Sequence, residues 1–242
     1  MRHIILGFGE VGKALQKVLK CNAHDPNIIG VRPDDITGEN FPFYWVEGDY
    51  SDEKFDVMHV SFPYFDGFVE EVSKYQQRFQ PSLTIIHSSV PIGTSAKCGA
   101  VHSPIRGVHP NLELGMRTFT KYFGGEKANE AAKIFEELGI KTHTTDRAEN
   151  TEAGKLWDTT QYGLAILLER YIWDFCEKNN LDFNIVYTEF NQSYNEGYQK
   201  LGRPEVARPH LKHMPGQIGG HCVRQNAHLL DKKIAELFDK SI

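Results

Sequence analysis

The chain opens with a short apolar run, Ile4-Ile5-Leu6, that passes directly into Gly7-Phe8-Gly9-Glu10-Val11-Gly12. Behind it, Val11, Leu15, Val18 and Leu19 fall on one face of a helix. A strand that turns this sharply into a helix has few folds open to it, and each glycine has its own task. Gly7 permits the tight turn, Gly9 lets the backbone approach a diphosphate, and Gly12 lets the helix pack on the sheet. The helix N-terminus supplies free amides and a partial positive charge at the same place. A second short strand, Asn22 to Asp25, ends in a carboxylate suited to accept from the two hydroxyls of a ribose. That carboxylate would repel a 2′-phosphate, so the pattern favours NAD over NADP. A flavin or mononucleotide site, or a nucleotide-binding unit that has lost its ligand, also fits the glycine pattern alone. The candidate cofactor contacts are Gly7, Phe8, Gly9, Glu10, Val11, Gly12 and Asp25, with Ser61, Pro63 and Ser89 at the ends of later predicted strands.

Alternation continues through the first half. Asp56 to Phe62, Leu83 to His87 and Ala100 to His102 read as strands, Gly67 to Phe79 and Lys127 to Leu138 as helices, and Lys141 to Thr144 as extended. Such alternation predicts a doubly wound, mostly parallel sheet covered on both faces. Residues 27–52 carry aromatics without clear periodicity. From Ala148 to Lys178 few breakers occur, and Leu156, Tyr162, Ile166, Leu167, Tyr171 and Phe175 follow a helical period. A second helix is expected from Leu181 to Leu201, a loop from Gly202 to His221 and a final helix from Asn226 to Phe238. The expected organisation is therefore a nucleotide-binding α/β domain over 1–147 and a smaller all-helical domain with a long central helix over 148–242.

Composition narrows the classes. Of 242 residues, 40% are hydrophobic and 24% charged, which suits a globular chain with a real core. A formal net charge of −5 argues against a general nucleic-acid or anionic-membrane binder. No run is long and apolar enough to span a bilayer, and Met1-Arg2-His3 leads into the first strand without signal-peptide anatomy. The four cysteines, Cys21, Cys98, Cys176 and Cys222, lack framework spacing and read as free thiols of a cytoplasmic protein.

Cys222 closes Pro215-Gly216-Gln217-Ile218-Gly219-Gly220-His221-Cys222, a glycine-rich segment able to bring backbone amides close to a ligand. Together with Gly7 to Gly12, Ser88-Ser89-Val90-Pro91-Ile92-Gly93-Thr94 and Ala153-Gly154-Lys155-Leu156, it resembles the UDP-glucose/GDP-mannose dehydrogenase family. The four segments occur in the family's order and span nearly the whole chain. The resemblance implies a Rossmann-type domain followed by a helical domain whose long helix pairs subunits in a homodimer. It also implies oxidation by NAD of a sugar-nucleotide alcohol to the carboxylate, through an intermediate on the cysteine. Carried over, Cys222 is the nucleophile, Lys155 the donor to a developing oxyanion, and Ser89 or Thr159 the holder of a water.

Several positions depart from the family. Asn226 stands in place of an aspartate, Thr159 in place of an asparagine, and Ile105 in place of a glutamate in the sugar-contact segment. His109 falls where some members carry a second acid, and His109, His221 or His228 is available as a substitute base. The family continues beyond the position of Ile242 into a second Rossmann-like domain. The candidate catalytic set is thus Cys222, Lys155, Ser89, Thr159, Asn226 and His109, and the candidate contacts to an anionic substrate are Arg106, Arg208, Lys212, Gly219 and Gly220. Two further readings stay open: a two-electron dehydrogenase of a small anionic hydroxy substrate, for which Arg106-Gly107-Val108-His109-Pro110 faintly resembles prephenate dehydrogenases, and a non-catalytic NAD-binding homologue. His210 and His213 fit no standard zinc spacing, so no metal is expected.

Overall fold

A computed structural model describes residues 1–25, 54–108, 110–216 and 221–239, the side chain of His221 excepted. It divides into two compact units, Met1–Lys155 and Leu156–Ile242.

In the first unit a seven-stranded sheet is built from β1 (His3–Leu6), β2 (Asn22–His24), β3 (Val57–Val60), β4 (Leu83–Ile86), β5 (Val101–His102), β6 (Lys121–Gly124) and β7 (Thr142–Thr145). Their order is β2-β1-β3-β4-β5-β6-β7. All neighbours are parallel except β5 and β6, which meet antiparallel at His102 and Gly124. Helices α1 (Glu10–Leu19), α2 (Phe68–Phe79), α3 (Thr94–Lys97), α4 (Leu112–Thr118) and α5 (Ala128–Glu136) connect the strands. The continuous apolar runs of the strands follow from burial on both faces. Ile5, Val57, Leu83, Ile85 and Val101 join one core with Leu15 of α1, Met116 of α4 and Phe135 of α5. Ile4, Leu6, Met58, Val60 and Ile86 join the other with Phe68, Val72 and Phe79 of α2. The doubly wound architecture is as the alternation predicts. Helix α4 and strand β6 were not legible: both are short, and β6 runs from a lysine to a glycine with no apolar repeat.

Helix α6 (Ala148–Asn179) runs across the division between the units. In the second unit a π-helical turn (Asn184–Glu189) leads straight into α7 (Phe190–Lys200), and a 3₁₀ turn (Pro204–Val206) interrupts the expected loop. The last predicted helix is in fact two, α8 (His221–Leu230) and α9 (Lys232–Asp239). Asp231 makes the break, its Oδ1 accepting the amides of Lys233 at 2.8 Å and Ile234 at 3.1 Å as a helix cap. Val223, Ala227, Ala235 and Phe238 from α8 and α9 form a core with Leu164, Ile166 and Leu167 of α6. No helix among the described residues is long and apolar enough to cross a membrane.

Candidate active site

Strand β1 continues outward to β2 on one side and to β3 on the other, so the sheet reverses direction of growth at β1. Ligands of open α/β sheets bind at the carboxyl ends of strands beside such a point. The glycine motif lies there. Gly7 has φ +89°, and a Cβ on it would lie 2.8 Å from the Phe62 amide nitrogen. A Cβ on Gly12 would come within 2.1 Å of the Gly7 carbonyl oxygen, so α1 packs on the turn only because that position is bare. Ser61, just after β3, ties the turn down: its Oγ lies 2.9 Å from both the Leu6 and the Gly7 carbonyl oxygens, and its amide donates to Leu6 at 2.8 Å. Asp25 follows β2, and its Oδ2 accepts the Phe8 amide at 2.8 Å. The carboxylate is thereby held at the glycine loop instead of swinging in solvent.

The same motif provides the space a diphosphate needs. Among the described residues nothing lies within 4 Å of a Cβ built on Gly9, and the N-cap residue of α1, where Glu10 and Val11 follow, makes no side-chain cap. Pro63 is exposed and Ser89 half-buried at the ends of the neighbouring strands. These features fit a dinucleotide.

The Ser88–Thr94 segment is a braced turn. Ser88 Oγ donates to the Phe62 carbonyl at 2.6 Å, and Thr94 Oγ1 donates to the Pro91 carbonyl at 2.7 Å. Glu152, 1% exposed, accepts the amides of Gly93 at 2.5 Å and Ser95 at 2.8 Å through its two oxygens. A single carboxylate therefore caps α3 and fixes the turn that carries Ser89. Sequence reasoning passed over Glu152, although it directly precedes Ala153-Gly154-Lys155; its partners are too distant in the chain for a local pattern to reveal. Beside it, Thr151 Oγ1 pairs with His102 Nδ1 at 2.8 Å, and burial pushes the His102 imidazole down to about 3, the Ser88 carbonyl opposing this and the Lys121 and Lys155 charges adding to it.

In the second unit the structure corrects one expectation. Cys222 is not on a loop: it occupies the first turn of α8, exposed. All four cysteines are free thiols, and Cys222 alone is exposed. Burial raises the Cys21 thiol to about 12 and the Cys98 thiol to about 11, which makes both poor nucleophiles. One helical turn beyond Cys222, Asn226 is buried and donates through Nδ2 to Thr159 Oγ1 at 2.8 Å, while Thr159 donates to the Leu156 carbonyl at 3.2 Å. Two of the departures from the family pattern are thus partners of each other. The third, Ile105, is 6% exposed and belongs to the apolar core of the first unit, an environment that would penalise a carboxylate.

The anion contacts fare unevenly. Arg106 lies over the Phe119 ring at 5.1 Å and lines a small cleft with Pro104, Met116, Phe119 and Lys121. Arg208 stacks on Tyr194 at 3.5 Å, with its backbone held by Asn195 on both sides. Lys212 is exposed. His109, Gly219 and Gly220 lie outside the described residues, as does the side chain of His221. His228 pairs with Asp239 at 3.2 Å on the surface. His213 stacks on Trp173 and donates from Nδ1 to Glu169 Oε1 at 2.8 Å. Among the described residues no cluster of His, Cys, Asp or Glu is placed to hold a metal.

No protein-family model matches the chain, and no curated protein does. Solved structures do. The UDP-D-ManNAc dehydrogenase of Pyrococcus horikoshii superposes with a TM-score of 0.75 at 16% identity, over 99% of this chain and 68% of that one. The 3-hydroxyisobutyrate dehydrogenase of Mycobacterium tuberculosis, determined with L-serine, gives 0.64 at 14% identity over 99% of this chain and 93% of that one. NDP-N-acetyl-D-galactosaminuronic acid dehydrogenase from Methanosarcina mazei gives 0.64 at 15%, covering 99% and 66%. The chain shares with these structures a fold of a Rossmann-type, mostly parallel sheet followed by a helical domain.

Proposed function

We propose that the protein is an NAD-dependent oxidoreductase that oxidises the primary alcohol of a phosphorylated or nucleotide-linked sugar. The observation that carries the reading is the joint placement of the Gly7 turn, the Ser61 tie and the Asp25 carboxylate at the carboxyl ends of β1, β3 and β2. Gly7 to Gly12 would hold the diphosphate, Asp25 the adenosine ribose, and Ser61, Pro63 and Ser89 the remainder. NAD supplies a hydride acceptor when bound. That dehydrogenases of sugar nucleotides and of a hydroxy acid share this fold supports the same class of chemistry.

In the full reading Cys222 adds as thiolate to the aldehyde product of the first oxidation, forming a C–S bond. Transfer of hydride from that carbon to a second NAD would leave a thioester, and water would then cleave the C–S bond to give the acid and the free thiol. The exposure of Cys222 supports this role, and Lys155, Ser89 and His109 remain the proposed donors and base. The long helix α6 is proposed to pair two copies, and Arg106, Arg208, Lys212, Gly219 and Gly220 to grip the anionic end of the substrate.

The Asn226–Thr159 hydrogen bond favours a second reading, in which only one oxidation occurs. An amide is no base, and losing one typically costs about 10²–10⁴-fold in rate. Turnover of sugar nucleotides, sugar phosphates and hydroxy acids, followed by NADH yield, tests both. Two NADH per substrate, with carboxylate formation lost in Cys222→Ser, supports covalent catalysis. One NADH and an unaffected serine variant selects the simple dehydrogenase. Tight NAD binding without turnover of any alcohol selects the non-catalytic homologue.

A further inference from the structure

One of the most buried strands is interrupted by a histidine and its neighbour is followed by one: His59 lies within β3 and His87 directly after β4. Neither has a part in the chemistry above. Both point to the face packed by α5, where they form a diagonal row across the sheet. His3 Nδ1 lies 3.0 Å from His59 Nε2, His59 Nδ1 lies 3.0 Å from His87 Nε2, and His87 Nδ1 lies 2.7 Å from the Ser103 carbonyl oxygen. Consecutive rings are nearly parallel, with centroids 5.3 Å apart in both pairs. Lys121 of β6 completes the row, its Nζ donating to the same Ser103 carbonyl at 3.1 Å and standing 3.4 Å from His87 Nδ1. His59, His87 and Lys121 are buried, whereas His3 is half-buried at the amino end of β1.

Donor and acceptor roles follow from the buried end. A carbonyl oxygen only accepts, so with a neutral Lys121 the His87 Nδ1–H donates to Ser103. His87 Nε2 then accepts from His59 Nδ1–H, and His59 Nε2 from His3 Nδ1–H. A charged Lys121 offers His87 Nδ1 a donor instead, and every bond in the row reverses. Both arrangements leave all three rings neutral; in the second His87 Nδ1 gives up its bond to the Ser103 carbonyl, whose donor is then the Lys121 ammonium.

We propose that His3, His59, His87 and Lys121 form a proton-conducting chain through the sheet, by which the buried Lys121 amine exchanges its proton with solvent at His3. A solvent proton binds His3 Nε2. The His3 Nδ1 proton passes to His59 Nε2, the His59 Nδ1 proton to His87 Nε2, and the His87 Nδ1 proton to the lone pair of Lys121. One proton enters, –NH₂ becomes –NH₃⁺, and release is the same sequence reversed. The chain is independent of the cofactor reading.

The electrostatics agree. Burial lowers Lys121 to about 7, and burial first, with neighbouring positive charge second, holds His59 and His87 well below the ordinary imidazole range. The amine therefore changes charge near neutrality while the two inner rings stay neutral and carry. At the outer end the N-terminal amine lowers His3 and Asp56 raises it, burial being the larger influence. At the inner end His102 adds to the lowering of His87, and Arg106 shares a cleft with Lys121. Helix α5 faces the row with the Phe135 ring, 5.0 Å from Lys121 Nζ.

Imidazole ¹⁵N NMR of the labelled protein, from about pH 5.5 to about pH 9, reads the row directly. His59 and His87 are expected to remain singly protonated, their proton moving from Nε2 to Nδ1 as pH rises through the Lys121 midpoint. Lys121→Met should hold both rings as Nδ1–H at every pH. His3→Gln keeps a hydrogen bond in either direction but relays no proton; it should leave the midpoint in place and slow exchange of the Lys121 amine hydrogens about tenfold or more. One unchanging tautomer in the wild type, double protonation of His59 or His87, or wild-type exchange in His3→Gln would overturn the proposal.

Discussion

Asp25 and Ser61 show how single side chains shape a site without being its chemistry. Ser61 spends its one hydroxyl proton between two carbonyls of the glycine turn, so Ser61→Ala should cost about 0.5–1.5 kcal/mol in stability by denaturant unfolding and weaken cofactor binding. Glu152 is the sharper test of a residue that no motif flagged. Each of its oxygens takes one amide, and glutamine offers an acceptor to only one of them. Glu152→Gln should lower the unfolding midpoint by an amount worth about 1–3 kcal/mol with an unchanged m-value; an unshifted midpoint would contradict the capping role. At Asn226, restoring a carboxylate beside Thr159 should raise the rate of any slow thioester hydrolysis, measured as carboxylate released after the first NADH. A slower second step in Asn226→Asp would remove the base argument.

At the scale of elements, what could be read in the sequence depended on how local the cause was. Strands β1, β3 and β4 announce themselves because burial on both faces favours largely apolar runs, and α6 because it is long. The turn of the glycine motif was legible for the same reason, being made by adjacent residues, whereas the Asp25–Phe8 contact joins positions 17 residues apart. Cys222 was misplaced on a loop because glycines and a proline precede it, while the helix that holds it is fixed by packing of Val223 and Ala227 on α6. The Asp231 cap passed unnoticed inside an apolar period that runs through it. The histidine row left a readable sign, a polar residue inside a buried strand, but its pairing is set by sheet register. Helix α6 also presents Trp157, Tyr162, Leu168, Tyr171 and Phe175 to solvent, the last two between 50% and 72% exposed. Leu156, expected on that apolar face, is instead fully buried. Exposed aromatics in such number suit the pairing proposed for α6. Light scattering at micromolar concentration should give a dimer, and Tyr171→Glu with Phe175→Glu a monomer; a monomeric wild type would contradict pairing through α6.

Over the whole molecule, the buried bases make stability depend on pH in a definite direction. His59, His87 and His102 take up protons when unfolded but resist them when folded, so stability falls as pH drops below about 6.5. His102 alone, lowered to about 3, accounts for about 2 kcal/mol by pH 5. Lys121, lowered to about 7, acts in the same sense, adding stability from there up to the ordinary lysine range. Cys21 and Cys98, raised by burial, oppose further gain above about pH 9 because the unfolded thiols ionise first. Urea unfolding across pH should therefore rise from acid to mildly alkaline conditions; an optimum near pH 5 would contradict the buried neutral bases.

The claim on which the rest depends is that the glycine turn and Asp25 hold NAD. Calorimetric titration of the wild-type protein with NAD and with NADP tests it most directly, with Gly9→Val as a control that blocks backbone approach to the diphosphate. The account predicts saturable NAD binding, weaker NADP binding because Asp25 faces the 2′-phosphate, and loss of affinity for both in Gly9→Val. NADP binding as tight as NAD, or no heat with either, would contradict it.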